Sequence, residues 1–245
     1  MQEYNCSTYG DRIAHLYDDL RQFTPEQTQT EVDALAALAK GGPVLELGIG
    51  TGRVALPLKE KGLEVHGIDA SPKMIEELRR KPGGSQIPVA IGDFSSVPVE
   101  GRFSLIFVTF NTFFALTTQE AQVRCFRSVA AHLAPDGLFV IEAFVPDPSR
   151  FTRNQNIVVS RVDLDEVRFD VSQHDPLHQR VVAQHVVITQ GNTQLFPVQI
   201  RYAWPSELDL MAQLAGMKLK DRWSTWQGAP FTSGSTAHVS VYELM

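Results

Sequence analysis

Three glycines at alternate positions, Gly48, Gly50 and Gly52, follow directly on a short apolar strand predicted at Val44 to Leu47. Glycine admits positive φ and lets a ligand approach the main chain, and the helix that follows presents unpaired N–H groups to an anionic group. Glu46 stands two residues before the first glycine, and its carboxylate repels a pyrophosphate but attracts a cation. The stretch therefore predicts a loop that binds a ligand carrying both a positive and a negative group.

The choice of ligand follows from charge and spacing. A dinucleotide fingerprint begun at Gly48 needs a small residue at the position that Arg53 occupies. S-adenosylmethionine (SAM) fits better, because its sulfonium and amino group are positive and its one carboxylate can face the helix N-terminus. After a second strand predicted at Leu63 to Ile68, Asp69 is placed to accept hydrogen bonds from ribose hydroxyls. A nicotinamide dehydrogenase is disfavoured, also because a catalytic Tyr-x-x-x-Lys set is missing.

Three motifs in order resemble those of a known family. The segment from Glu46 to Gly52, then Asp69, then Gly92-Asp93-Phe94 resemble motifs I, II and III of the class I SAM-dependent methyltransferases. The resemblance implies that the glycine turn holds the methionyl part of SAM, Asp69 the ribose, and Asp93 with Phe94 the adenine, with S-adenosylhomocysteine as the product. It also implies a Rossmann-like α/β fold with a doubly wound, mostly parallel, seven-stranded sheet.

Further residues near these motifs complete the predicted cofactor site. They are Tyr9, Arg53, Ala70, Met74 and Phe110. For Met74, which would face back toward the adenine, the alternative is a core position. Phe110 opens the aromatic segment 110–114 at the position of motif IV, which lacks the Asn/Asp-Pro-Pro-aromatic signature of enzymes that methylate DNA bases or glutamine amides. Together with residues 144–146 this segment predicts an apolar-walled acceptor pocket, the alternative being that its phenylalanines belong to the core.

The N-terminal residues 1–24 resemble the lid segment of many small-molecule methyltransferases, in which a tyrosine closes over the SAM sulfonium. A phenol oxygen or ring face next to a cation is electrostatically favourable. Tyr9 and Tyr17 are the tyrosines of this segment that we assign to the site. The alternative for Tyr17 is that it belongs, with its apolar neighbours, to the buried face of a packing helix.

Spacing does not identify a general base. Such a base contributes about 10²–10⁴-fold when the acceptor must lose a proton first. Tyr9, Tyr17 and His185 are the predicted catalytic residues, and His238 and Glu142 are further candidates by location. An amine can deprotonate in water before it binds, so the lack of an obvious base favours an amine acceptor, and the chain is similar to the amino-sugar N-methyltransferases and glycine N-methyltransferase-like enzymes. An O- or C-methyltransferase and a SAM-binding regulatory or partner subunit without turnover are the alternatives.

Strands and helices alternate up to a strand predicted at Leu138 to Ala143, which specifies a parallel sheet with helices on both faces. We divide the chain into four segments. Residues 1–42 are an N-terminal lid and helix, 43–150 the SAM-binding core, 151–203 an antiparallel β insertion, and 204–245 the helix and strands that complete the core. The insertion is predicted to cover the strand ends as a substrate cap, to form a homodimer surface, or both.

Local signals add three predictions. Thr24 begins a helix with a capping box, and Gly41 ends it. Pro57 falls inside a helix predicted at Val54 to Lys61 and predicts a kink. Pro135-Asp136-Gly137 predicts a turn before the fifth strand.

The composition of the chain limits the classes of partner that we expect. The 245-residue chain has a formal net charge of −6 and no run of five like charges, which predicts no nucleic-acid partner. Cys6 and Cys125 form no pair by spacing, and neither a signal peptide nor a membrane-spanning run is present, so a cytoplasmic protein is expected. The histidines of the insertion, His174, His178 and His185, lack a cysteine or carboxylate at ligand spacing, and no metal is predicted.

Overall fold

The structure is a computed structural model that describes residues 4–20 and 23–245. Residues 1–3 and 21–22 of the predicted lid lie outside the described residues. Within the described chain the strands are β1 (Val44–Leu47), β2 (Val65–Asp69), β3 (Val89–Ile91), β4 (Phe103–Val108), β5 (Leu133–Phe144), β6 (Gln155–Val162), β7 (Glu166–Asp175), β8 (Arg180–Thr189), β9 (Asn192–Arg201), β10 (Met217–Trp223) and β11 (Ala237–Leu244). The α-helices there are α1 (Thr8–Ile13), α2 (Tyr17–Leu20), α3 (Pro25–Ala39), α4 (Ala55–Glu60), α5 (Pro72–Arg80), α6 (Gln119–His132) and α7 (Pro205–Leu214).

The described strands form one seven-stranded and one four-stranded sheet, which confirms the predicted fold class. The order of the larger sheet is β10-β11-β5-β4-β1-β2-β3. Strands β1 to β5 run parallel, and β11 pairs antiparallel with both β5 and β10. The chain winds outward from β1 to β3 and then returns to the other side at β4. Ligands of such sheets bind where the order reverses, here at the carboxyl ends of β1 and β4.

Helices cover both faces of the seven-stranded sheet, as a doubly wound sheet requires. One apolar cluster packs α3, α4 and α5 onto one face through Leu35, Leu58 and Leu78. The other packs α6 and α7 onto the opposite face through Phe126 and Met211. Because β1 is a central strand buried along its whole length, the residues that follow it are anchored at the carboxyl end of the sheet.

Local sequence signals explain where the helices begin. The predicted capping box at α3 is present: the Thr24 side chain accepts from the Gln27 N–H, and the Gln27 side chain accepts from the Thr24 N–H. Lys40 closes α3 in a left-handed conformation before Gly41. The Ser71 side chain likewise accepts from the Met74 N–H at the start of α5. These caps satisfy donors that a helix leaves unpaired.

Two local predictions need correction. Pro57 is the third residue of α4, and because the first four N–H groups of a helix have no partner within it, Pro57 removes no helical hydrogen bond and a kink is not required. The predicted turn at residues 135–137 lies instead inside β5, as a bulge between the pairs Phe103–Leu133 and Leu105–Leu138. The second strand also begins at Val65 rather than Leu63 and includes Asp69.

The four-stranded sheet is an antiparallel meander, β6-β7-β8-β9, as its alternating sequence predicted. We call it the cap sheet. A buried polar cluster joins it to the main body: the Arg201 guanidinium, at the end of β9, donates to Gln122 of α6 and to Glu207 of α7, both at 2.6 Å. This joint fixes the sheet beside the carboxyl ends of the main strands. None of the described helices has the length and hydrophobicity of a membrane-spanning segment.

Candidate active site

The glycine turn after β1 has the conformation that its sequence predicted. Gly48, Gly50 and Gly52 have φ angles of 76°, 54° and 84°, which side chains with a Cβ rarely adopt. The Gly50 N–H donates to Asp69 Oδ2 at 2.7 Å. A Cβ added at Gly48 would lie 2.5 Å from Thr112 Cγ2. The turn is therefore packed as well as bent, and a larger residue would displace the segment after β4.

Asp69 lies at the carboxyl end of β2, and its carboxylate spans two backbone donors. Beside the bond from Gly50, Oδ1 accepts from the Ser71 N–H at 2.8 Å, with Ala70 half-buried between. Burial raises the pKa of Asp69, and the backbone hydrogen bonds oppose that rise. A carboxylate oxygen can accept more than one hydrogen bond, so Asp69 keeps capacity for ligand hydroxyls.

Glu46 is 4% exposed on β1, and its Oε2 has no hydrogen-bond partner among the described residues. Burial raises its pKa well above the ordinary value, and the charge of Arg53 opposes the rise. Arg53 itself makes a two-pronged ion pair with Glu31 of α3, with N–O distances of 2.5 and 3.1 Å. The sequence interpretation missed Glu31, although its place on the apolar stripe with Leu35 and Leu38 marks it as a buried charge.

Phe110 and Asn111, directly after β4, both have positive φ, 50° and 66°. The Phe110 N–H donates to Glu142 Oε2 at 2.8 Å, and Glu142 Oε1 accepts from the Trp226 indole at 2.9 Å. The Phe110 ring packs edge-on against Phe23, with 4.6 Å between centroids. The next aromatic residues, 113 and 114, are fully buried in the core, so the core alternative holds for them.

Motif III lies next to motif II. The Gly92 N–H donates to the Asp69 carbonyl at 3.0 Å, and Asp93 Oδ1 accepts from the Ser95 N–H at 2.8 Å. The Phe94 side chain is buried in the core cluster. Cys6 of the N-terminal segment lies close by: burial raises the pKa of its thiol, and the charge of Asp93 raises it further.

The N-terminal helices are fastened to the cofactor motifs by carboxylates that the sequence interpretation did not select. Asp11 accepts from the Ser71 hydroxyl at 2.7 Å. Asp18 accepts from the Thr51 hydroxyl at 2.7 Å and pairs with Lys81 at 2.6 Å. The predicted lid segment is thus bonded to the turns that follow β1 and β2.

The predicted lid tyrosines and Met74 pack between the main body and the cap sheet. Met74 is buried in a cluster with Val187 and Phe196 of the cap, and Tyr9 and Tyr17 pack against that cluster. The cluster holds the lid against both bodies. For Met74 this is the core position named as the alternative.

The candidate bases lie in different surroundings. His185, on β8, faces Tyr9 edge-on at 6.1 Å between ring centroids and bonds Asp170 through Nδ1 at 2.5 Å. His238 is fully buried on β11; its Nδ1 bonds Ser240 Oγ at 2.8 Å, and burial lowers its pKa to about 4. The two imidazoles therefore lie in different sheets. Among the described contacts of these two histidines, only His185 packs against a residue of the predicted lid.

The other cap histidines are engaged elsewhere. His174 bonds the Tyr202 hydroxyl at 2.9 Å and stacks on Phe151, while His178 pairs with Asp175 at 2.6 Å on the surface. His174, Tyr202 and Phe151 line a cavity of about 70 Å³, together with Phe144 at the end of β5. The described residues contain no group of three side chains that could hold a metal ion.

Known proteins resemble this chain over the site and beyond it. A family model described as a methyltransferase domain matches residues 44–137. The structure of the CcbJ methyltransferase from Streptomyces caelestis is 38% identical, with a TM-score of 0.92 over 98% of this chain and 99% of that chain. The cypemycin N-terminal methyltransferase of a Streptomyces species is 29% identical over 208 residues, 83% of each protein. The dTDP-3-amino-3,6-dideoxy-alpha-D-glucopyranose N,N-dimethyltransferase of Streptomyces fradiae is 30% identical over 55% of this chain and 54% of that protein.

Proposed function

Since the chain belongs to the class I SAM-dependent methyltransferases, we propose that it transfers a methyl group from SAM to the nitrogen of a small-molecule amine. Two relatives support nitrogen as the acceptor atom, because one is named as an N-terminal methyltransferase of cypemycin and the other as an N,N-dimethyltransferase of an amino sugar. The observation that carries the proposal is the cluster of interacting carboxyl groups at the site, which favours a cationic acceptor.

The residues present fit SAM. Glu46 offers a buried carboxylate oxygen without a partner in the described chain, which suits the ammonium or sulfonium of the methionyl part. Asp69 keeps acceptor capacity for the ribose hydroxyls, and Asp93 with Phe94 stands at the adjoining strand end for the adenine. When bound, SAM supplies a methyl group on a sulfonium, an electrophile with a good leaving group. The glycine turn would carry the methionyl part.

The chain's own contribution is placement and exclusion of water. Holding an acceptor nitrogen in line at near-attack distance supplies up to ~7–11 kcal/mol. The lid segment performs the exclusion: Asp11 and Asp18 fasten it to the turns at Ser71 and Thr51, and Tyr9 and Tyr17 pack between the main body and the cap sheet. Phe110, whose N–H is bonded to Glu142, lies after β4 and packs against Phe23.

The carboxyl groups around the glycine turn favour an amine. Burial raises the pKa of Glu31, Arg53 lowers it, and the charge of Glu142 raises it again, so these carboxyls lie close enough to interact. Glu46 interacts with both Glu31 and Asp69 in the same way. Arg53 is already paired with Glu31. An ammonium is attracted to such a site, whereas a phosphorylated acceptor is repelled.

We assign the choice of acceptor to the cap sheet, residues 151–203. Its inner face meets the lid at His185 and Val187 and borders the 70 Å³ cavity at the end of β5. Exposed apolar side chains on the edge strand β6, such as Ile157 and Val159, support a second role as a homodimer surface, because a free strand edge is a template for pairing. Light scattering of the purified protein tests that role.

Transfer of an isotope-labelled methyl group from SAM to a panel of amines, amino sugars, phenols and carbon acids, read by mass spectrometry, tests the proposed function. Label on amines only is the expected result. Label on phenols or carbon acids instead would replace nitrogen by oxygen or carbon as acceptor. Tight SAM binding with no label on any acceptor would favour a binding subunit without turnover, and a single-turnover assay with excess protein would settle that point.

A further inference from the structure

An aspartate–histidine pair occupies the middle of the inner face of the cap sheet. Asp170 on β7 and His185 on β8 are directly opposite each other in the antiparallel register, so their side chains lie on the same face. Asp170 Oδ1 is 2.5 Å from His185 Nδ1. The His185 side chain is 21% exposed, which leaves the ring half-buried and within reach of a small ligand.

This contact determines which ring nitrogen can accept a proton. An ionised carboxylate only accepts hydrogen bonds, so His185 Nδ1 must carry the hydrogen. In a neutral imidazole the other nitrogen, Nε2, then holds the lone pair. Asp170 therefore sets the ring in the tautomer in which Nε2 is the basic atom.

The pair lies where the cap, the lid and the cofactor motifs meet. Tyr9 of α1 packs edge-on against the His185 ring at 6.1 Å. Two residues further along α1, Asp11 bonds the Ser71 hydroxyl, and the Ser71 N–H bonds Asp69. A short path through side-chain contacts and one turn of α1 thus joins the imidazole to the predicted ribose-binding carboxylate.

The titratable groups around the ring come from several elements. Tyr9 approaches from the N-terminal segment, and Tyr4 interacts with Tyr9 rather than with the ring itself. Arg168 lies two residues from Asp170 on the same face of β7 and is paired with Glu166 at 2.7 Å. Its charge is thus already engaged, whereas Asp170 bonds the imidazole directly.

We propose that Asp170 is a positioning residue for His185, which takes the proton from an acceptor ammonium. An N–H bond of the ammonium breaks and the proton binds Nε2, while Asp170 balances the charge of the imidazolium. The freed nitrogen lone pair forms the bond to the methyl carbon as the bond from that carbon to sulfur breaks. The product leaves as a methylated ammonium, and His185 returns its proton to solvent. This role rests on the proposed function.

The chain contains a matched control on the same sheet. His178 and Asp175 form the same Nδ1–carboxylate contact at 2.6 Å, but with side chains 65% and 49% exposed at the turn between β7 and β8. Asp175→Asn therefore removes the same type of bond from the same sheet, outside the inner face. Any general effect of losing a cap carboxylate appears in both variants.

The first measurement needs neither SAM nor acceptor. Nitrogen-15 NMR of the histidine rings at about pH 8, where an ordinary histidine is neutral, reports each tautomer, and His185→Gln identifies the signals. We expect His185 as the Nδ1–H tautomer in the wild type and a shift toward Nε2–H in Asp170→Asn. A wild-type His185 in the Nε2–H form would overturn the proposal, whether or not the variant folds.

The second measurement separates kcat from KM. We expect Asp170→Asn to lower kcat on the best amine at least about tenfold, with KM and SAM affinity changed by less than roughly threefold, and Asp175→Asn to match the wild type. An Asp170→Asn variant with full kcat, or equal losses in both variants, overturns the role of Asp170. A wild-type protein that methylates no amine overturns the proposed function as well, so the two failures are distinguishable.

Discussion

Glu142 holds the backbone of Phe110 across the ends of β5 and β4, accepting its N–H at 2.8 Å. Phe110 has a φ of 50°, a conformation that costs a bulky residue on the order of 1–3 kcal/mol and persists only where the surroundings enforce it. The other oxygen of Glu142 accepts from the Trp226 indole at 2.9 Å. One carboxylate therefore fixes both motif IV and the loop after β10, which is a structural task rather than that of a free base.

Glu142→Gln should disturb this arrangement, because the amide offers one accepting oxygen where two donors need partners. We expect the free energy of unfolding to fall by about 1–3 kcal/mol. We also expect kcat to fall by roughly tenfold or more, because the motif IV segment 110–114 shifts. Urea denaturation and steady-state kinetics measure the two effects. Glu60→Gln, at the exposed end of α4, is the control, and equal behaviour of the two variants would contradict the bracing role.

Asp69→Asn and Asp69→Ala test the ribose assignment. We expect at least about tenfold weaker binding of SAM and S-adenosylhomocysteine by calorimetry, equivalent to ~1.4 kcal/mol. Asp69 also orders the Gly50 and Ser71 amides. A thermodynamic cycle that combines the Asp69 substitution with a change in the ligand is therefore needed. A 2′-deoxyribose analogue of S-adenosylhomocysteine should lose affinity for the wild type and little for Asp69→Asn. The control Asp33→Ala, on the exposed face of α3, should bind SAM with wild-type affinity. Additive losses of affinity in the cycle would show that Asp69 does not bind the ribose.

The sequence predicted the parts of the molecule that are determined by residues close together along the chain. The glycine turn after β1, the capping box at Thr24 and the four strands of the cap sheet all follow from local patterns, because turn conformation, capping and alternation act over a few residues. The seven-stranded, mostly parallel sheet came from the family resemblance carried by the motifs, and the order of its strands came from the structure. These elements place Asp69 and Asp93 at adjacent strand ends.

The contacts that complete the site join residues distant in sequence, and local patterns carry no information about them. Asp11 and Ser71 are 60 residues apart, and Glu31 and Arg53 are 22 apart. Glu31 had a recognisable signal as a charge on the apolar stripe of α3. The partner of a buried charge becomes identifiable only when the packing of the helices is known.

Gly48→Ala should cost more than the strain of its φ alone. A left-handed φ costs a non-glycine residue about 1–2 kcal/mol, and the added Cβ would also lie 2.5 Å from Thr112 Cγ2. Gly41→Ala is the matched control, because Gly41 has a φ of 81° and nothing within 4 Å of the added Cβ. We expect a larger fall in unfolding free energy and in SAM affinity for Gly48→Ala.

Thr112→Ser in the Gly48→Ala background removes the obstructing methyl group and should restore part of the difference. The backbone strain would remain, so the double variant should resemble Gly41→Ala in stability. Chemical denaturation of the four proteins gives the comparison. If Gly48→Ala and Gly41→Ala lose the same free energy, the contact between the glycine turn and motif IV contributes nothing.

His238 should make stability fall on acidification. Burial lowers its pKa from 6.5 to about 4, so between these values the unfolded chain binds a proton that the folded chain does not. The contribution is complete above about pH 6.5 and is lost as pH falls toward 4, by up to ~3 kcal/mol. Urea denaturation of wild type and His238→Gln across this range measures it.

The difference between the two proteins is the informative quantity in that experiment. Burial raises the pKa of Glu46 and of Asp69. The contribution of each carboxyl to the free energy of unfolding therefore falls as pH rises, whereas that of His238 increases. Both groups are present in the wild type and in His238→Gln and cancel in the difference. Loss of the bond to Ser240 shifts the difference by a constant amount, whereas the imidazole gives it a slope. A difference that stays flat from about pH 4 to pH 6.5 would show that the His238 ring takes up its proton equally well in the folded and unfolded chain.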